Sequence, residues 1–237
     1  MNLILLNHDD FISEDRVRLK GRRLEHIRTI HRAQADTQLR VGLLNGKMGL
    51  GLITHIDSHF VELNVVLTQP PPKSLPVTLL LALPRPKMLK RVLQSTTSLG
   101  VKQIFLINSH RVEKSFWSSP VLEPEHLHEQ LLLGLEQARD TILPEVHLRK
   151  LFKPFVEDEL PAICKGTRAL VAHPASEQIE LLEANQPTTL AIGPEGGFIP
   201  YEVEKLVACG FSPFSLGERI LRVETAVAVL LSRLMPI

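Results

Sequence analysis

The sequence predicts an α/β protein with a small β-rich N-terminal domain and a larger C-terminal domain built on a parallel sheet. Short strand-like segments and turns fill residues 1–68, and a proline-rich stretch follows at residues 69–76. Beyond it, apolar strand-like runs alternate with helical stripes of apolar residues. Such alternation is typical of a mostly parallel sheet with helices on both faces.

Composition sets the broad class. The chain has 237 residues, of which 44% are hydrophobic and 22% charged, enough for two domains that each bury a core. The sequence has no apolar run long enough to span a membrane and no basic, then apolar, signal segment at its start, so we expect a cytoplasmic protein without a membrane partner. Cys164 and Cys209 lack CxxC spacing, and His126 and His128 point to different helix faces, so we expect no metal.

Cationic side chains are concentrated between residues 16 and 40, although the formal net charge of the chain is only +1. Glu25 and Asp36 are the acidic residues in this stretch. A cluster of this density suits the neutralisation of phosphates, so we favour RNA contact over a merely solvated face. The cluster consists of Arg16, Arg18, Lys20, Arg22, Arg23, Arg28, Arg32 and Arg40, with His26 and His31 among them.

The N-terminal segments read as strands and turns rather than helices. A strand at 39–44 is followed by Asn45-Gly46, a pair that favours a two-residue hairpin turn, and then by a second strand at 49–53. Residues 60–66 alternate between apolar and polar and predict another strand. Together these segments predict a small β-barrel.

Prolines mark the domain boundary. Pro70, Pro71, Pro72 and Pro76 stand close together, and prolines at this density cannot lie inside a sheet and favour an extended spacer. We therefore place the N-terminal domain at residues 1–72 and the C-terminal domain at residues 73–237.

The C-terminal domain alternates between strands and helices. Its first strand is a continuous apolar run, as expected for a strand covered on both faces. The predicted strands are 77–83, 104–107, 169–172, 190–192 and a short one near Phe214. The predicted helices are 88–99 closed by Gly100, 127–142 stopped by Pro144, one after Pro200, and a last one through Arg233.

Two glycine loops near the C-terminus predict a ligand pocket. Gly193-Pro194-Glu195-Gly196-Gly197 follows the strand at 190–192, and the second loop, 215–217, precedes the last helix. The first loop is not a P-loop, because Phe198 follows where a lysine is required, and it lies too late in its domain for a dinucleotide fingerprint. Loops at neighbouring strand ends suit the rim of one pocket.

The two loop segments, Gly193–Phe198 and Leu216–Ala226, resemble the signature of the SPOUT RNA methyltransferases, and specifically of the bacterial ribosomal RNA small-subunit methyltransferase E family. The resemblance covers nearly the whole chain, with its most specific motifs at the C-terminal end. Further matching positions are His26, Arg32, Leu99-Gly100-Val101, Ser109, Arg111, Glu136-Gln137, Pro144 and His173-Pro174.

Two positions depart from the family pattern. Ser98 stands where the family usually has an acidic residue before Leu-Gly. Asp140 stands where it usually has an arginine after Glu-Gln, and Arg139 comes one position early. These departures bear on RNA contact or helix packing rather than on the cofactor site.

The resemblance implies a fold and an activity. Because knots are rare, strand and helix alternation alone predicts an ordinary open sheet. Similarity to SPOUT enzymes implies instead a C-terminal trefoil knot that holds a bent S-adenosylmethionine, a PUA-like RNA-binding barrel at residues 1–72, and a homodimer. It also implies methylation of uridine N3 in 16S rRNA, within the free RNA or the small ribosomal subunit, to give 3-methyluridine.

The resemblance also implies which residues hold the cofactor. Backbone groups of the glycine loops would read the adenine edge and the ribose, and the apolar side chains of the second loop would form walls around the adenine. The expected cofactor-binding residues are His173, Ile192, Gly193, Pro194, Glu195, Gly196, Gly197, Leu216, Gly217, Ile220, Leu221, Arg222, Thr225 and Ala226.

Arg222 and Glu195 are the catalytic candidates. Arg222 would stabilise negative charge on the uracil as the N3 proton leaves, with an ion pair to Glu218 as the alternative. Glu195 would accept that proton or hold its loop, and Thr225 would contact the cofactor or cap the last helix. The expected RNA-binding residues are Arg22, Arg23, Arg28, Arg32 and Arg111.

Three other activities remain open at this level. A ribose 2'-O-methyltransferase of RNA would use the same cofactor on an alcohol. A non-catalytic assembly factor would bind rRNA without modifying it. A nucleotide-dependent oxidoreductase would bind NAD instead of S-adenosylmethionine.

Overall fold

The computed structural model describes residues 2–174 and 186–234. These residues form two compact units. The first unit contains the residues up to Lys73 together with Leu132–Leu143, and the second contains Ser74–Leu131 and the residues from Pro144 onward.

The segment Leu132–Leu143 packs in the first unit, whereas the sequence analysis assigned it to the C-terminal domain. Leu135 is fully buried in a cluster with Leu3 and Leu5. The Glu136 carbonyl accepts the backbone N–H group of Leu3 at 3.1 Å. Apolar burial and backbone pairing together explain why this segment departs from the sequence-based boundary.

A six-stranded, curled sheet forms the first unit. Its strands are β1 (Ile4–Leu6), β2 (Phe11–Ser13), β3 (Arg16–Leu19), β4 (Gln38–Leu43), β5 (Met48–Ile56) and β6 (Val61–Gln69). Their order in the sheet is β1-β4-β5-β6-β3-β2, and β1 is parallel to β4 while the other neighbours are antiparallel. Register shifts between Met48 and Gly49 and between Ile53 and His55 interrupt β5, and bulges of this kind increase local twist.

Buried and exposed side chains alternate along the strands, so the core of this unit lies on one face of the sheet. In β3, Val17 and Leu19 are fully buried while Arg16 and Arg18 point outward, as the period of a strand requires. Asn45-Gly46 lies in the connection between β4 and β5, as predicted, but this connection spans residues 44–47 and is not the expected two-residue turn: Asn45 has a positive φ, +59°, whereas Gly46 does not.

The helix α1 (Gly21–Thr29) corrects the expectation that this region contains strands and turns only. It buries Leu24 and Ile27, and its N-cap, Lys20, makes no side-chain capping bond. Two apolar residues three apart, without a capping signal, are too short a pattern to identify a helix from sequence.

The second unit is built on a six-stranded sheet in which every neighbouring pair is parallel. Its strands are β7 (Val77–Ala82), β8 (Gln103–Ile107), β9 (Glu145–Arg149), β10 (Arg168–Ala172), β11 (Thr188–Ile192) and β12 (Ser212–Phe214), in the order β12-β10-β11-β7-β8-β9. The predicted parallel α/β architecture is therefore confirmed. The sequence missed β9, because this edge strand is polar and only partly buried.

Six α-helical segments follow β7 among the described residues. They are α2 (Pro86–Ser98), α3 (Pro124–Ala138), α4 (Phe152–Pro154), α5 (Leu160–Ile163), α6 (Pro200–Ala208) and, at the C-terminal end, α7 (Val223–Leu234), with a π-helical turn, Phe155–Glu159, between α4 and α5. Residues of α3 from Leu132 onward belong to the first unit. No helix in the described part of the chain combines the length and the apolar character that crossing a membrane requires.

Helix ends follow local backbone chemistry. Gly100 has a φ of +85° directly after α2, which confirms its predicted role in closing that helix. The helix α3 ends at Ala138, before the predicted end near Pro144. Arg139 takes the left-handed conformation, with a φ of +57°, and the Asp140 N–H group closes the helix on the Leu135 carbonyl at 3.1 Å.

Candidate cofactor pocket

Three loops meet at the carboxyl edge of the parallel sheet. The strands β10, β11 and β12 are neighbours, and the chain leaves them at His173, Gly193 and Ser215. Because parallel strands end at the same edge, these exits lie side by side. The backbone supports this arrangement, since the His173 N–H group donates to the Phe214 carbonyl at 2.8 Å.

The first glycine loop is a tight turn. The Gly197 N–H group donates to the Pro194 carbonyl at 2.7 Å, and Gly197 has a φ of +73°. A Cβ atom on Gly193 would lie 2.9 Å from the backbone nitrogen of Phe198, so a side chain there would displace the main chain. A Cβ atom on Gly196 would meet the side chain of Arg111 at 2.8 Å instead.

A cavity of about 100 Å³ lies between the loops. Most of the predicted cofactor residues line it: His173, Ile192, Gly193, Pro194, Glu195, Gly197, Leu216, Gly217, Ile220, Leu221 and Ala226. The predicted residues that do not line it are Gly196, Arg222 and Thr225. Arg219, which the prediction passed over although it lies inside the matched segment, also lines the cavity.

His173 gives the cavity an unsatisfied polar atom. Its Nδ1 is buried and has no hydrogen-bond partner among the described residues. Buried polar atoms are normally paired, so an unpaired one in a cavity wall indicates that a ligand or water completes it.

The second loop differs from two of the sequence interpretations. Residues 217–222 are not helical, so Glu218 and Arg222 lack the helical spacing that the alternative ion pair required. Arg222 is exposed just before α7, and its carbonyl accepts the Ala226 N–H group at 2.8 Å. Thr225 is the third residue of α7, so it is not the N-cap.

Glu195 faces the start of another helix. Its Oε1 accepts the backbone N–H group of Arg85, the N-cap of α2, at 3.3 Å. A carboxylate at a helix N-terminus is stabilised by the unpaired N–H groups and the helix dipole. The contact fits the loop-holding interpretation of Glu195 better than the proton-accepting one.

The loop after β8 is tied to the glycine loop. The Arg111 guanidinium donates to the Gly196 carbonyl. Glu202, in the first turn of α6 and only 3% exposed, accepts the N–H groups of His110 at 2.6 Å and Ile199 at 3.0 Å. The sequence interpretation missed Glu202, which stands three residues after the N-cap Ile199; because the isoleucine side chain cannot complete a capping box, the sequence carries only half of that signal.

The arginines predicted to bind RNA in the N-terminal region divide into two groups. Arg22 makes a two-pronged contact with the buried carboxylate of Glu136, at 3.0 and 2.7 Å. Arg23 binds Asp10 at 2.5 and 2.6 Å. Arg28 and Arg32 are exposed, and no hydrogen bond or ion pair of their guanidinium groups is seen within the described residues.

Thiol and metal chemistry find no support in the described part of the chain. Cys164 and Cys209 are free and partly buried, and burial raises the pKa of both thiols, which lowers their reactivity. No group of three or more His, Cys, Asp or Glu side chains among the described residues is arranged to hold a metal ion.

Comparison with known proteins identifies the family to which the chain belongs. Residues 71–235 match the family model described as an RNA methyltransferase domain, and the chain belongs to that family. Within it, the chain is similar to ribosomal RNA small subunit methyltransferase E of Treponema pallidum (strain Nichols), with 27% identity over 95% of this chain and 87% of that protein.

A second relative and a solved structure agree with this placement. Ribosomal RNA small subunit methyltransferase E 1 of Borreliella burgdorferi is 24% identical over 95% of this chain and 94% of its own length. The crystal structure of a ribosomal RNA small subunit methyltransferase E from Neisseria gonorrhoeae, bound to S-adenosyl methionine, superposes with a TM-score of 0.78 at 19% identity, covering 98% of this chain and 95% of that one. At that identity the likeness establishes the fold.

Proposed function

We propose that this protein transfers a methyl group from S-adenosylmethionine to N3 of a uridine in 16S rRNA, giving 3-methyluridine. The observation that carries the proposal is the cavity between the two glycine loops, in a chain that belongs to the RNA methyltransferase family. The names of the relatives, which specify small-subunit rRNA, support the substrate.

The residues of the cavity fit S-adenosylmethionine. The close approach of Gly193 to Phe198 keeps the first glycine loop tight beside the cavity, and the unpaired Nδ1 of His173 is free to bond a polar group. Leu216, Ile220 and Leu221 supply apolar walls of the kind that an adenine ring requires.

The chain's own contribution to the chemistry is alignment and charge stabilisation. The bound cofactor supplies a methyl group on a sulfonium sulfur, so the C–S bond breaks as the N–C bond forms. The protein must hold the uracil in line and stabilise the negative charge that develops as the N3 proton leaves. We assign charge stabilisation to Arg222, an exposed residue between Leu221 and Val223, which line the cavity, and loop positioning to Glu195; the N3 proton then passes to a water molecule. Proton acceptance by Glu195 is the competing assignment.

We extend the proposal to the architecture. The first unit would be a PUA-like RNA-binding barrel, corresponding to residues 1–72, and the second a SPOUT domain, residues 73–237, whose last part forms a trefoil knot. The insertion of β11 between β10 and β7, with both glycine loops around one cavity, supports the knot. The family resemblance supports a homodimer, and Ile220, apolar and 82% exposed at the cavity, is a residue that a second copy would cover.

Transfer of label tests the activity. Purified protein should move tritium from methyl-labelled S-adenosylmethionine to 16S rRNA taken from a strain that lacks the corresponding gene. Calorimetry should show binding of S-adenosylmethionine and none of NAD. RNA binding without label transfer would favour the non-catalytic assembly factor, and binding of NAD alone would favour an oxidoreductase.

A further inference from the structure

The arginines of the first unit differ in what they contact. Several are committed to carboxylates, including the buried Glu62 and Glu136. An arginine that left such a carboxylate to bind a phosphate would leave a buried charge unpaired, which is strongly unfavourable. The committed pairs are Arg16 and Arg18 with Glu62, Arg22 with Glu136, and Arg23 with Asp10, all at 2.5–2.7 Å.

Unlike these paired arginines, Arg40 and Arg139 form no ion pair with a carboxylate in the described part of the chain. Both are exposed, and no partner of either guanidinium is found in the described part of the chain. They line one cavity of about 260 Å³ together with His31 and Gln38, and no acidic residue is among its described lining residues. They also line an adjoining cavity of about 440 Å³. The two arginines therefore form a cationic ridge between two concavities.

A pair of histidines lies near the ridge. Burial lowers the pKa of His26, and the neighbouring charges of His31 and Arg22 lower it further. His31 stacks edge-on against His26, with ring centroids 5.0 Å apart. Arg22 is paired with Glu136, whereas His31 lines the same cavity as Arg40 and Arg139 and adds a further donor there.

The backbone of Arg139 adds an independent observation. Arg139 occupies the left-handed position that ends α3, with a φ of +57°, where glycine is the favoured residue. Arg32 also has a positive φ, +49°, so this conformation does not by itself separate the two candidate pairs. At Arg139 it sets the direction in which the side chain leaves the end of α3.

The exposed pair Arg28 and Arg32 makes a weaker candidate. Both line another concavity of the first unit, but Asp57 lines it as well. The Asp57 carboxylate is held ionised, because a hydrogen bond from His55 and others from the N–H groups of Phe60 and His59 lower its pKa. A fixed negative charge in the wall opposes a bound phosphate.

We propose that Arg40 and Arg139 bind the phosphodiester backbone of the substrate RNA, with Gln38 and His31 as further donors in the same cavity. Guanidinium groups match phosphate oxygens in geometry and charge, and such contacts fix position without reading sequence. The inference rests on the proposed rRNA substrate. It moves the main contact away from Arg22 and Arg23, and it adds Arg139.

Salt-dependent binding tests this assignment. We would measure the dissociation constant of a 16S rRNA transcript between 50 and 300 mM salt for Arg40→Gln, Arg139→Gly and the double variant. Each lost phosphate contact should lower the slope of log K against log salt by about 0.7–0.9, so the double variant should lose about 1.5. The KM for rRNA should rise with kcat and cofactor affinity unchanged, and Arg139→Gly should melt no lower than the wild type.

Lys20→Gln is the matched control. It removes one exposed positive charge at the opposite end of α1, about 13 Å of helix away from His31, and should leave the slope unchanged. The assignment is wrong if the double variant keeps the wild-type slope and affinity, or if Lys20→Gln weakens binding equally. Failure of the proposed function has a different signature, namely wild-type protein that transfers no methyl group to rRNA.

Discussion

Gly193 is the glycine whose replacement the first loop tolerates least. A Cβ atom there would lie 2.9 Å from the Phe198 nitrogen, whereas the Cβ of Gly196→Ala would meet the flexible side chain of Arg111. Because crowding of this kind typically costs about 1–3 kcal/mol, we expect Gly193→Ala to weaken S-adenosylmethionine binding about tenfold or more. Calorimetry measures the affinity, and Gly196→Ala should lose less. Equal losses would show that main-chain crowding at Gly193 is unimportant.

Substitutions of Arg222 and Glu195 should have different effects on kcat. Arg222→Ala should keep cofactor affinity within a few fold and lower kcat about 100-fold or more, since one charge-stabilising donor is lost. Glu195→Gln keeps an oxygen to accept the Arg85 N–H group but cannot take a proton, so kcat should fall less than about fivefold. Steady-state kinetics on rRNA measures both. A large loss in Glu195→Gln would identify Glu195 as the base.

Arg111 is expected to act on the cofactor site rather than on RNA. Its guanidinium donates to the Gly196 carbonyl, and losing a charged donor typically costs about 1.5–3 kcal/mol. Arg111→Met should therefore weaken S-adenosylmethionine binding about tenfold while leaving rRNA affinity within twofold. Lys114→Met, an exposed cation of the same loop, is the control. Reduced RNA affinity with intact cofactor binding would restore the phosphate role that the sequence suggested.

Most residues expected at the pocket line one cavity, but the contacts that hold its loops were not predictable from the sequence. The glycine loops and their apolar companions were visible because glycine, proline and strand-end apolar runs are local signals. Arg22 pairs with Glu136, 114 positions along the chain, and Arg23 pairs with Asp10, 13 positions away. Arg111 binds the carbonyl of Gly196, 85 positions away. A charge cluster in a sequence does not reveal which of its members are already paired.

At the scale of elements, long periodic segments were predicted and short or polar ones were missed. The continuous apolar run of β7 and the apolar stripe of α2 gave clear signals. By contrast, α1 buries only two side chains and β9 is a polar edge strand. Neither segment therefore has the apolar periodicity that identifies a helix or a strand from sequence. The end of α3 was predicted too late, because Arg139 adopts a conformation usually reserved for glycine.

The pairing of β3 with β6 predicts an acid sensitivity. Hydrogen bonds and charge from Arg18 and Arg16 lower the pKa of Glu62 below its ordinary value of 4.5. The stabilisation is complete above that pH and is lost as the pH falls through the lowered, folded-state pKa. Glu62→Gln should melt at a lower temperature at pH 7 and show a flatter decline in acid, whereas the exposed Glu25→Gln should behave like the wild type. An unchanged acid transition in Glu62→Gln would contradict this.

At the scale of the whole molecule, the boundary predicted from prolines and the observed grouping differ in one segment. Prolines mark where the chain leaves the first sheet, but Leu132–Leu143 joins the first unit through contacts with residues near the N-terminus. Contacts between distant parts of a chain leave no local trace in composition. For the same reason a knot is not predictable from alternation, and here it was proposed only through resemblance.

The activity that we propose for this protein is methyl transfer to a base nitrogen of small-subunit rRNA. The most direct measurement is mass spectrometry of nucleosides from 16S rRNA that lacks the modification, after incubation with purified protein and S-adenosylmethionine. We predict that 3-methyluridine appears, with one methyl group per RNA at saturation, and that Arg222→Ala abolishes most of it. Appearance of 2'-O-methyluridine instead, or of no methylated nucleoside while the protein binds both ligands, would contradict the claim.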